Sequence, residues 1–463
     1  MTRPPFRAII VGGGPVGLTA AHALSKAGID FVLLERRLAV VEDVGASLVV
    51  MPSTSRVFSQ LGILDRFRAI GAAVERLFAT TLEGKKLYEI DPFLFMAANH
   101  GDTPRVCHRA FLLRILFEGL DQSARSRILT NKEIVDISLD DAGVDVHCAD
   151  GTHYKGVIAI GADGANSYVR EVMRGQALKS TPAAAINPAN PFLAEFRVLF
   201  FTFPPPSSLK TGIAYESHGQ GASTQLVSRG DRAWLFVYEP LPEPTRGRVS
   251  YTHDDVVACA QRWGHLTVGG NLKVGDLFKL RYHGSMVNVE EGHVEHWSWN
   301  RFVLVGDSVR KLSPPTGMGY NNGVQDVVAL TNELRHIVFP PADNRASSDG
   351  DEEEESKGEE PGPTVETLSG AFRRYETVRQ EGSKNDMWAS GIYLRQGVWH
   401  SRLYWLADRY ILPWLPVGPL SWAFARMLSA NLRSAQVLDF VEGEEPFKGS
   451  MPWVHPMARP SDA

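Results

Sequence analysis

The residues with the clearest chemical meaning are the glycines of the run GGGPVG at residues 12–17, which fits the pattern G-x-G-x-x-G. The run follows the strand-like residues 7–11 and precedes residues whose apolar positions recur at helical spacing. Gly12 permits a tight bend, Gly14 lets a pyrophosphate approach the backbone, and Gly17 lets helix and strand pack closely. Because the unpaired N–H groups at the start of a helix attract phosphate, the run predicts a dinucleotide site.

An acidic residue, Glu35, closes a second apolar run about twenty residues beyond the glycines. Its carboxylate can accept hydrogen bonds from an adenosine ribose, and the adjacent Arg36 is included among the predicted cofactor-binding residues. A bare glycine turn is the alternative, but strand, helix, second strand and acid together favour a nucleotide-binding βαβ unit. Gly45 and Ala46 follow, small enough for the chain to pass close to a bound cofactor.

Two later turns have the same character, a strand that runs into glycines and then into a helix. Residues 156–160 lead into Gly161-Ala162-Asp163-Gly164, where Asp163 either bonds a cofactor or caps the turn. Residues 301–305 lead into Gly306-Asp307, where Asp307 can hold a polyol hydroxyl. A loop at 314–321, which contains Gly319 and Tyr320, then opens a long predicted helix, whose N-terminus carries about +0.5 charge.

Arg109 stands at the start of a predicted helix over residues 110–120. Its guanidinium offers fixed, paired donors to phosphate oxygens. A surface salt bridge is the simpler interpretation of Arg109 taken alone.

The texture of the sequence predicts the division of the chain. Residues 1–180 and 296–385 alternate strands and helices, whereas residues 181–295 carry alternating apolar runs and many aromatics, as in a mostly antiparallel sheet facing a substrate. Residues 341–364 are acidic and poor in apolar residues, so we expect a disordered loop there. Residues 386–463 are rich in tryptophan and are expected to be partly helical.

Three environments fit the tryptophan-rich segment. Its uncharged residues 410–425 (Arg409 and Arg426 flank them) contain three prolines and are too short and broken to span a bilayer. Packing onto the protein is favoured, and shallow burial in a membrane surface or a lid over an apolar pocket stay open.

Composition narrows the function classes. The chain has 463 residues and a net charge of −5, which gives no case for nucleic-acid binding. Cys107, Cys148 and Cys259 are odd in number and have no metal-ligand spacing, so neither a disulfide framework nor a metal site is expected. A strand begins within six residues of Met1, so we expect a cytoplasmic protein with, at most, peripheral membrane contact.

Taken together, the three glycine-bearing turns resemble those of class A FAD-dependent monooxygenases of the para-hydroxybenzoate hydroxylase type. The resemblance covers about residues 6–335 and, through residues 45–47 and 51–52, is nearest to fungal enzymes that oxidise indole diterpenes and meroterpenoids. It implies an α/β fold: a Rossmann-like FAD-binding domain of the GR2 type, an inserted antiparallel substrate domain and a helical C-terminal segment. Met318 and Tyr320 depart from the Gln and Ala that the family often has there.

The resemblance also implies a cofactor and a reaction. FAD would be held at the ribose by Glu35, at the pyrophosphate by Arg109 and at the ribityl chain by Asp307. Asp163 would lie near both FAD and a transient NADPH or NADH, and the backbone of Gly319 and Tyr320 would follow the isoalloxazine. NAD(P)H and O2 would then form a C4a-hydroperoxyflavin that epoxidises or hydroxylates a bulky apolar terpenoid, indole alkaloid or aromatic polyketide.

This chemistry needs few protein groups, because the cofactor performs the difficult step. Tyr215 and Arg197, on predicted strands of the substrate domain, are the candidates for facing the flavin as catalytic residues. Three alternatives stay open: a flavin dehydrogenase or reductase without oxygen insertion, a flavin-dependent halogenase, and a binding protein on the same scaffold. The halogenase-like Trp297-Ser298-Trp299 precedes a strand directly, which argues against that function.

Overall fold

The computed structural model describes residues 6–43, 47–181, 186–340 and 362–459. Gly45, Ala46 and most of the predicted acidic loop lie outside the described residues. Within the described ranges the strands are β1 (Arg7–Val11), β2 (Asp30–Leu34), β3 (Ser47–Val50), β4 (Ala72–Ala73), β5 (Arg76–Thr81), β6 (Lys86–Ile90), β7 (Arg105–His108), β8 (Ile128–Leu129), β9 (Ile134–Leu139), β10 (Val144–Cys148), β11 (His153–Gly156), β12 (Ile158–Gly161), β13 (Leu193–Phe203), β14 (Ile213–Gly219), β15 (Ala222–Arg229), β16 (Arg232–Thr245), β17 (Thr267–Val268), β18 (Leu272–Lys273), β19 (His283–His293), β20 (Ser298–Trp299), β21 (Phe302–Leu304) and β22 (Arg310–Lys311).

The helices of the same ranges differ from the predicted ones at two places. Apolar residues at positions 57, 61 and 64 predict one helix over residues 53–68, but Gly62, with φ +75°, ends α2 and a second short helix follows. The sequence also predicts a helix over residues 368–380, and the structure extends it at both ends, as α11. The helices are α1 (Pro15–Ala27), α2 (Pro52–Leu61), α3 (Leu64–Ile70), α4 (Pro92–His100), α5 (Arg109–Gly119), α6 (Gln122–Ser126), α7 (Tyr168–Ser180), α8 (His253–Arg262), α9 (Val274–Lys279), α10 (Met318–Val338), α11 (Val365–Gly397), α12 (Arg402–Leu406) and α13 (Val417–Leu428).

A six-stranded sheet in the order β20-β21-β12-β1-β2-β8 forms the centre of the nucleotide-binding half. All its pairings are parallel except β20 with β21. Val11 lies opposite both Leu34 and Gly161, and Gly161 lies opposite Leu304, so four strands, β2, β1, β12 and β21, end side by side. The three glycine-bearing turns leave the sheet at this one edge, as the α/β prediction requires.

The second sheet has eight strands in the order β22-β19-β13-β16-β15-β14-β5-β6. It is antiparallel except where β14 pairs with β5, which confirms the predicted mostly antiparallel sheet. Strands β5 and β6 come from the first 180 residues, so the predicted boundary at residue 181 does not enclose the whole sheet. Helices α8 and α9 cover one face over a separate apolar core. The opposite face is turned toward the nucleotide-binding half.

Helix α11 joins the two halves. Its first part buries Leu368, Phe372 and Tyr375 in the core of the parallel sheet, and its last part buries Leu394 against the second sheet. A helix of 33 residues, about 50 Å long, is needed to bridge both sheets. The segment after it turns back over the second sheet as α12 and α13.

Candidate active site

One cavity of about 660 Å³ opens between the glycine-bearing edge of the parallel sheet and the inner face of the second sheet. All three turns line it, and the second sheet contributes side chains from β14, β15 and β16. The structure therefore brings together sequence-predicted residues as far apart as Gly12 and Tyr320. Those lining the cavity are Gly12, Gly14, Glu35, Arg36, Arg109, Asp163, Asp307, Gly319 and Tyr320.

The glycines of the first turn perform three different tasks. Gly12 has φ +106°, and a Cβ there would lie 2.7 Å from the carbonyl oxygen of Ala162. A Cβ at Gly17 would lie 1.9 Å from the carbonyl oxygen of Gly12, so the start of α1 packs directly on the turn. A Cβ at Gly14 would meet nothing within 4 Å, because this side of the turn faces the cavity. Gly14 also begins α1 without a side-chain cap, which leaves amide N–H groups for an anion.

An acidic and a basic side chain, Glu35 and Arg109, line the cavity beside this turn. The Glu35 carboxylate accepts hydrogen bonds from the N–H groups of Gly13 (2.6 Å) and Arg37 (2.9 Å), which fixes it at the cavity wall. Arg109 lines the same wall at the start of α5. Burial and the nearby Arg37 lower the pKa of the Arg109 guanidinium, against the opposite effect of Glu35 and Asp307. Arg109 thus lies between the first and third turns, as a pyrophosphate ligand must.

Asp163, in the second turn, caps a helix with one carboxylate oxygen, and its other oxygen is buried without a hydrogen bond among the described residues. Its Oδ2 accepts hydrogen bonds from the N–H groups of Tyr168 (2.7 Å) and Val169 (3.1 Å) at the start of α7. Its buried Oδ1 has no hydrogen-bond partner among the described residues. Burial raises the pKa of this carboxyl group. Both interpretations of Asp163 therefore have support: it caps the turn, and it offers an unpaired oxygen at the cavity.

The third turn is held by a buried ion network. The carboxylate of Asp326, on α10, accepts a hydrogen bond from the Gly306 N–H (2.9 Å) and two from the Arg310 guanidinium (2.6 and 2.8 Å). Arg379, on α11, donates a further bond to Asp326 at 3.0 Å. Asp307 itself points to the cavity, where it pairs with Lys311 at 3.0 Å. The network fixes the backbone so that Asp307 remains available to a ligand.

Helix α10 begins at the cavity as well. Gly317 has φ +67°, and a Cβ there would lie 2.6 Å from Cβ of Val49. A Cβ at Gly319 would meet nothing within 4 Å. No side chain caps this helix, so its first N–H groups face the cavity, as those of α1 do.

The side chain of Tyr320 turns away from the cavity. Its hydroxyl lies 3.0 Å from Oγ1 of Thr19, and its ring packs near Phe58 in the core. Tyr320 stands where the resembled family often has Ala, and its side chain packs in the core. We expect its backbone to keep the role at the cavity that the resemblance implies.

These features fit FAD by their donor set. Two uncapped helix N-termini and Arg109 suit its pyrophosphate and the electron-rich end of its ring system, Glu35 suits a ribose, and Asp307 suits a polyol. At Gly14 and Gly319 a Cβ would meet nothing within 4 Å, so both glycines leave open space for the cofactor beside the protein backbone. The unpaired Oδ1 of Asp163 is a buried polar atom that such a ligand can satisfy.

Comparison with known proteins decides the family. A model of the FAD binding domain family matches residues 6–345. The FAD-dependent monooxygenase srdH of Neurospora crassa is 32% identical to this chain over 474 aligned residues, which cover 97% of this chain and 98% of srdH. The chain belongs to this family of FAD-dependent monooxygenases.

Other relatives of the monooxygenase agree. The FAD-dependent monooxygenase ausM of Penicillium brasilianum is 27% identical and covers 94% of this chain and 87% of its own. The structure of a variant of Klebsiella pneumoniae HpxO complexed with FAD shares the fold, with a TM-score of 0.69 and 18% identity over 91% of this chain and 98% of that one. FqzB shares it with a TM-score of 0.65, 16% identity, and 93% and 94% coverage. The para-hydroxybenzoate hydroxylase-type fold and FAD as the cofactor are confirmed.

The two predicted catalytic residues of the monooxygenase do not face the cavity, and that prediction is wrong. Tyr215 packs on the other face of the second sheet, near Phe78 and the turn at Gly269. Arg197 also lies outside the cavity lining and pairs with Glu239 at 2.5 Å. Successive residues of a strand point to opposite faces, so a wrong choice of face excludes both side chains together.

The group that sequence reasoning missed is the next residue, Glu216. It lines the cavity of the monooxygenase although only 3% of it is exposed. Its carboxylate accepts hydrogen bonds from Gln225 (3.0 Å), Tyr393 (2.8 and 2.9 Å) and His218 (3.3 Å). His218 in turn donates from Nδ1 to Asp408 at 2.8 Å. The alternation along β14 could have suggested Glu216, since Glu216 and His218 share one face, but nothing local could have suggested Asp408.

The halogenase-like tryptophans have structural roles in the monooxygenase. Trp297 is 2% exposed and donates its Nε1–H to the carbonyl of Val294 at 3.0 Å. Trp299 forms the edge strand β20 with Ser298. Neither lines the cavity.

Proposed function

We propose that this monooxygenase uses NAD(P)H and O2 to epoxidise or hydroxylate a bulky apolar molecule, a terpenoid, indole alkaloid or aromatic polyketide, in the biosynthesis of a secondary metabolite. The observation that carries the proposal is the shared cavity: the FAD-type turns form one wall and a largely apolar sheet face forms the other. The apolar wall comprises Val74, Leu77, Phe93, Ala214, Val227, Phe236 and Leu428.

The residues of the chain divide the work. Glu35, Arg109 and Asp307 bind and orient the cofactor, and the N-terminus of α10 stabilises negative charge on it. Bound FAD would supply the redox chemistry, in which two electrons from NAD(P)H and one O2 place one oxygen atom in the substrate and release the other as water. The apolar wall positions a greasy substrate and excludes water from the reacting atoms. No Ser-His-Asp triad is needed for this chemistry.

The relatives support the monooxygenase reaction, since srdH of Neurospora crassa and ausM of Penicillium brasilianum are both named FAD-dependent monooxygenases. The apolar wall supports the substrate class. A small polar substrate would leave the aromatic and aliphatic side chains of that wall without partners.

The test is isotopic. Purified enzyme is incubated with NADPH or NADH, ¹⁸O2 and a panel of terpenoid, indole and polyketide compounds, and products are analysed by mass spectrometry. A gain of one ¹⁸O atom supports the proposal. Loss of two hydrogens without oxygen indicates a dehydrogenase, chloride in the product indicates a halogenase, and a colourless, flavin-free protein indicates a binding protein; each of these outcomes overturns it.

A further inference from the structure

The cluster around Glu216 is a polar island in an otherwise apolar wall. Glu216, Gln225 and Phe236 are paired across β14, β15 and β16, so they form one row on the cavity side. Behind Glu216, His218 and Asp408 are buried, with 4% and 0% exposed. A buried carboxylate is costly unless it is paired and hydrogen-bonded, so this arrangement requires a reason.

The groups behind Glu216 place a positive charge next to its carboxylate. His218 lies between two carboxylates, and although burial disfavours its charged form, Asp408 and Glu216 raise its pKa to about 10. His218 is therefore a cation at neutral pH, donating Nδ1–H to Asp408 and Nε2–H to Glu216. Trp399 and Gln396 donate to Asp408 at 2.8 and 3.2 Å and fix it in place.

The row of Glu216, Gln225 and Phe236 also contacts the loop before α10, on the cofactor side of the cavity. The Gln225 amide donates to Glu216 and, at 2.9 Å, to the carbonyl oxygen of Pro315 in the loop before α10. Tyr393, on α11, also lines the cavity, and its single O–H group donates a bifurcated hydrogen bond to both carboxylate oxygens of Glu216. A ligand with its own donor can therefore compete for, or add to, the bonds at Glu216.

We propose that Glu216 is a substrate-binding residue that accepts a hydrogen bond from a hydroxyl or N–H group of the otherwise apolar substrate, with His218 and Asp408 as positioning residues. The inference rests on the proposed function and names the substrate feature it requires. A carboxylate that accepts from a neutral donor in a dry site adds roughly ten- to a hundredfold in affinity, the range of hydrogen bonds to charged groups.

The test uses two matched probes and the FAD-loaded enzyme. Dissociation constants for 2-naphthol and 2-methoxynaphthalene are measured from the change in flavin absorbance, which needs no turnover. We expect the native enzyme to prefer the naphthol at least about tenfold. Glu216→Gln should reduce that preference to less than about twofold, whereas Glu89→Gln, a partly exposed carboxylate on β6, should retain it. Equal binding by the native enzyme, no response to either probe, or a preference that persists in Glu216→Gln overturns the inference.

The positioning role has its own readout. In the native enzyme His218 stays charged, so the preference should be constant between pH 6 and 8.5. In Asp408→Asn the pKa of His218 should fall, and the preference should decline as pH rises through that range; a flat profile overturns the role. If the isotopic test fails while these pH profiles are as expected, the proposed reaction is refuted and the role of Glu216 stands.

The titratable groups that face His218 and Glu216 from the elements packed around them are Asp408, Tyr88, Tyr238 and Tyr393.

A second, independent observation concerns the surface of the segment that runs from α12 to α13. Large apolar side chains there are exposed: Leu403 by 78%, Trp414 by 83%, Val417 by 54%, Tyr410 by 53% and Trp422 by 50%. We call this surface the tryptophan patch, residues 402–422. Exposed large apolar side chains concentrated in one short segment mark an interaction site.

Charge complementarity identifies its occupant. Between residues 401 and 428 the basic side chains are Arg402, Arg409 and Arg426, and the one acid, Asp408, is buried against His218. The Arg426 guanidinium lies 5.5 Å from the ring centre of Trp422, at the rim of the apolar surface. Within residues 401–428 the aromatics lie beside arginines and no acid is exposed; the exposed Glu83, from the turn between β5 and β6, lies near Arg409. Aromatics beside arginines suit the headgroup region of an anionic bilayer.

The inner face of the same segment borders the cavity. Phe424 packs on Tyr393 and Leu428 lines the cavity wall. None of the helices in the described ranges is long and apolar enough to cross a membrane, so contact would be at the surface. We propose that the tryptophan patch docks on anionic membrane, where an apolar substrate is concentrated beside the cavity.

Vesicle sedimentation tests this. The FAD-loaded enzyme is mixed with phosphatidylcholine vesicles with or without 30% phosphatidylserine. We expect binding that requires phosphatidylserine, weakens with salt, and falls at least about tenfold in Leu403→Ser/Trp414→Ser/Trp422→Ser. The control Leu280→Ser removes an apolar side chain that is 50% exposed elsewhere and should bind normally. No vesicle binding by the native enzyme, or a dimer that the triple variant dissociates without any vesicle binding, overturns the proposal.

Discussion

At the residue scale, two glycines of one turn have opposite surroundings although they share a motif. Gly14 faces open space, whereas Gly17 is packed against the carbonyl of Gly12. The motif therefore combines a residue needed by the ligand with a residue needed by the fold, and substitution can separate them.

Gly14→Ala should fold and lose cofactor. Its φ of −71° suits alanine, so the unfolding free energy of the cofactor-free protein should change by less than about 0.5 kcal/mol. The added methyl occupies the space of the pyrophosphate, so the dissociation constant of FAD should rise at least about tenfold. Gly17→Ala should instead lower the unfolding free energy by about 1–3 kcal/mol. Thermal unfolding and flavin fluorescence measure the two effects, and a cofactor-binding defect equal in both variants contradicts the distinction.

His22 gives a residue-scale prediction on pH. Its Nε2 lies 2.7 Å from the carbonyl oxygen of Leu116, and burial lowers its pKa to about 4, so the ring is neutral in the fold. The unfolded chain, with a pKa near 6.5, binds the proton first. Stability is thus unaffected above pH 6.5 and is lost as pH falls from 6.5 toward 4, by up to about 3 kcal/mol. His22→Gln should flatten this part of the denaturation profile; an unchanged slope would refute the assignment.

At the scale of elements, the third turn depends on helices that the local sequence does not reveal. Asp326 connects the Gly306 backbone, Arg310 and Arg379 across 73 residues of chain from Gly306 to Arg379. Removing one partner of a buried ion network leaves uncompensated charge.

Asp326→Asn should therefore lower the unfolding free energy by about 3–5 kcal/mol and weaken FAD binding, because the backbone that presents Asp307 is released. The matched control is Glu333→Gln on the same helix, which breaks an ion pair with the exposed Arg374 and should cost less than about 1 kcal/mol. Urea unfolding of both variants, with FAD occupancy from visible absorbance, makes the comparison. Similar losses of unfolding free energy and FAD occupancy in the two variants would show that the buried network of Asp326 stabilises the fold no more than the exposed ion pair does.

The elements also show what the sequence could and could not predict. The three turns were predictable because each is local: strand, glycines and helix lie within about thirty residues. The face of β14 was not, since the choice between Tyr215 and Glu216 depends on which side α8 and α9 cover. The partnership of His218 with Asp408 spans 190 residues and arises only from the path of α11 and α12. Likewise β5 joins the second sheet through a parallel pairing with β14 that no local pattern signals.

At the scale of the whole molecule, the cofactor site is assembled from parts of the chain that are distant in sequence. Glu35 and Arg109 precede β13 to β16 and β19 of the second sheet in the sequence, whereas Asp307 and Gly319 follow them. FAD held by these residues would connect both ends of the nucleotide-binding half and face the second sheet. Any ligand that binds only the folded state stabilises it by mass action.

Removing FAD should consequently destabilise the whole molecule. With free FAD at a hundred times its dissociation constant, the gain is about 2.7 kcal/mol, which for a chain of this length should raise the thermal midpoint by a few degrees. Asp307→Ala and Arg109→Ala should each reduce this gain relative to the cofactor-free midpoint of the same variant, because each loses a contact to the cofactor. Differential scanning calorimetry with and without FAD, at fixed protein concentration, measures the gain. Full FAD occupancy and a native-sized gain in both variants would mean that the cofactor does not lie where the three turns converge.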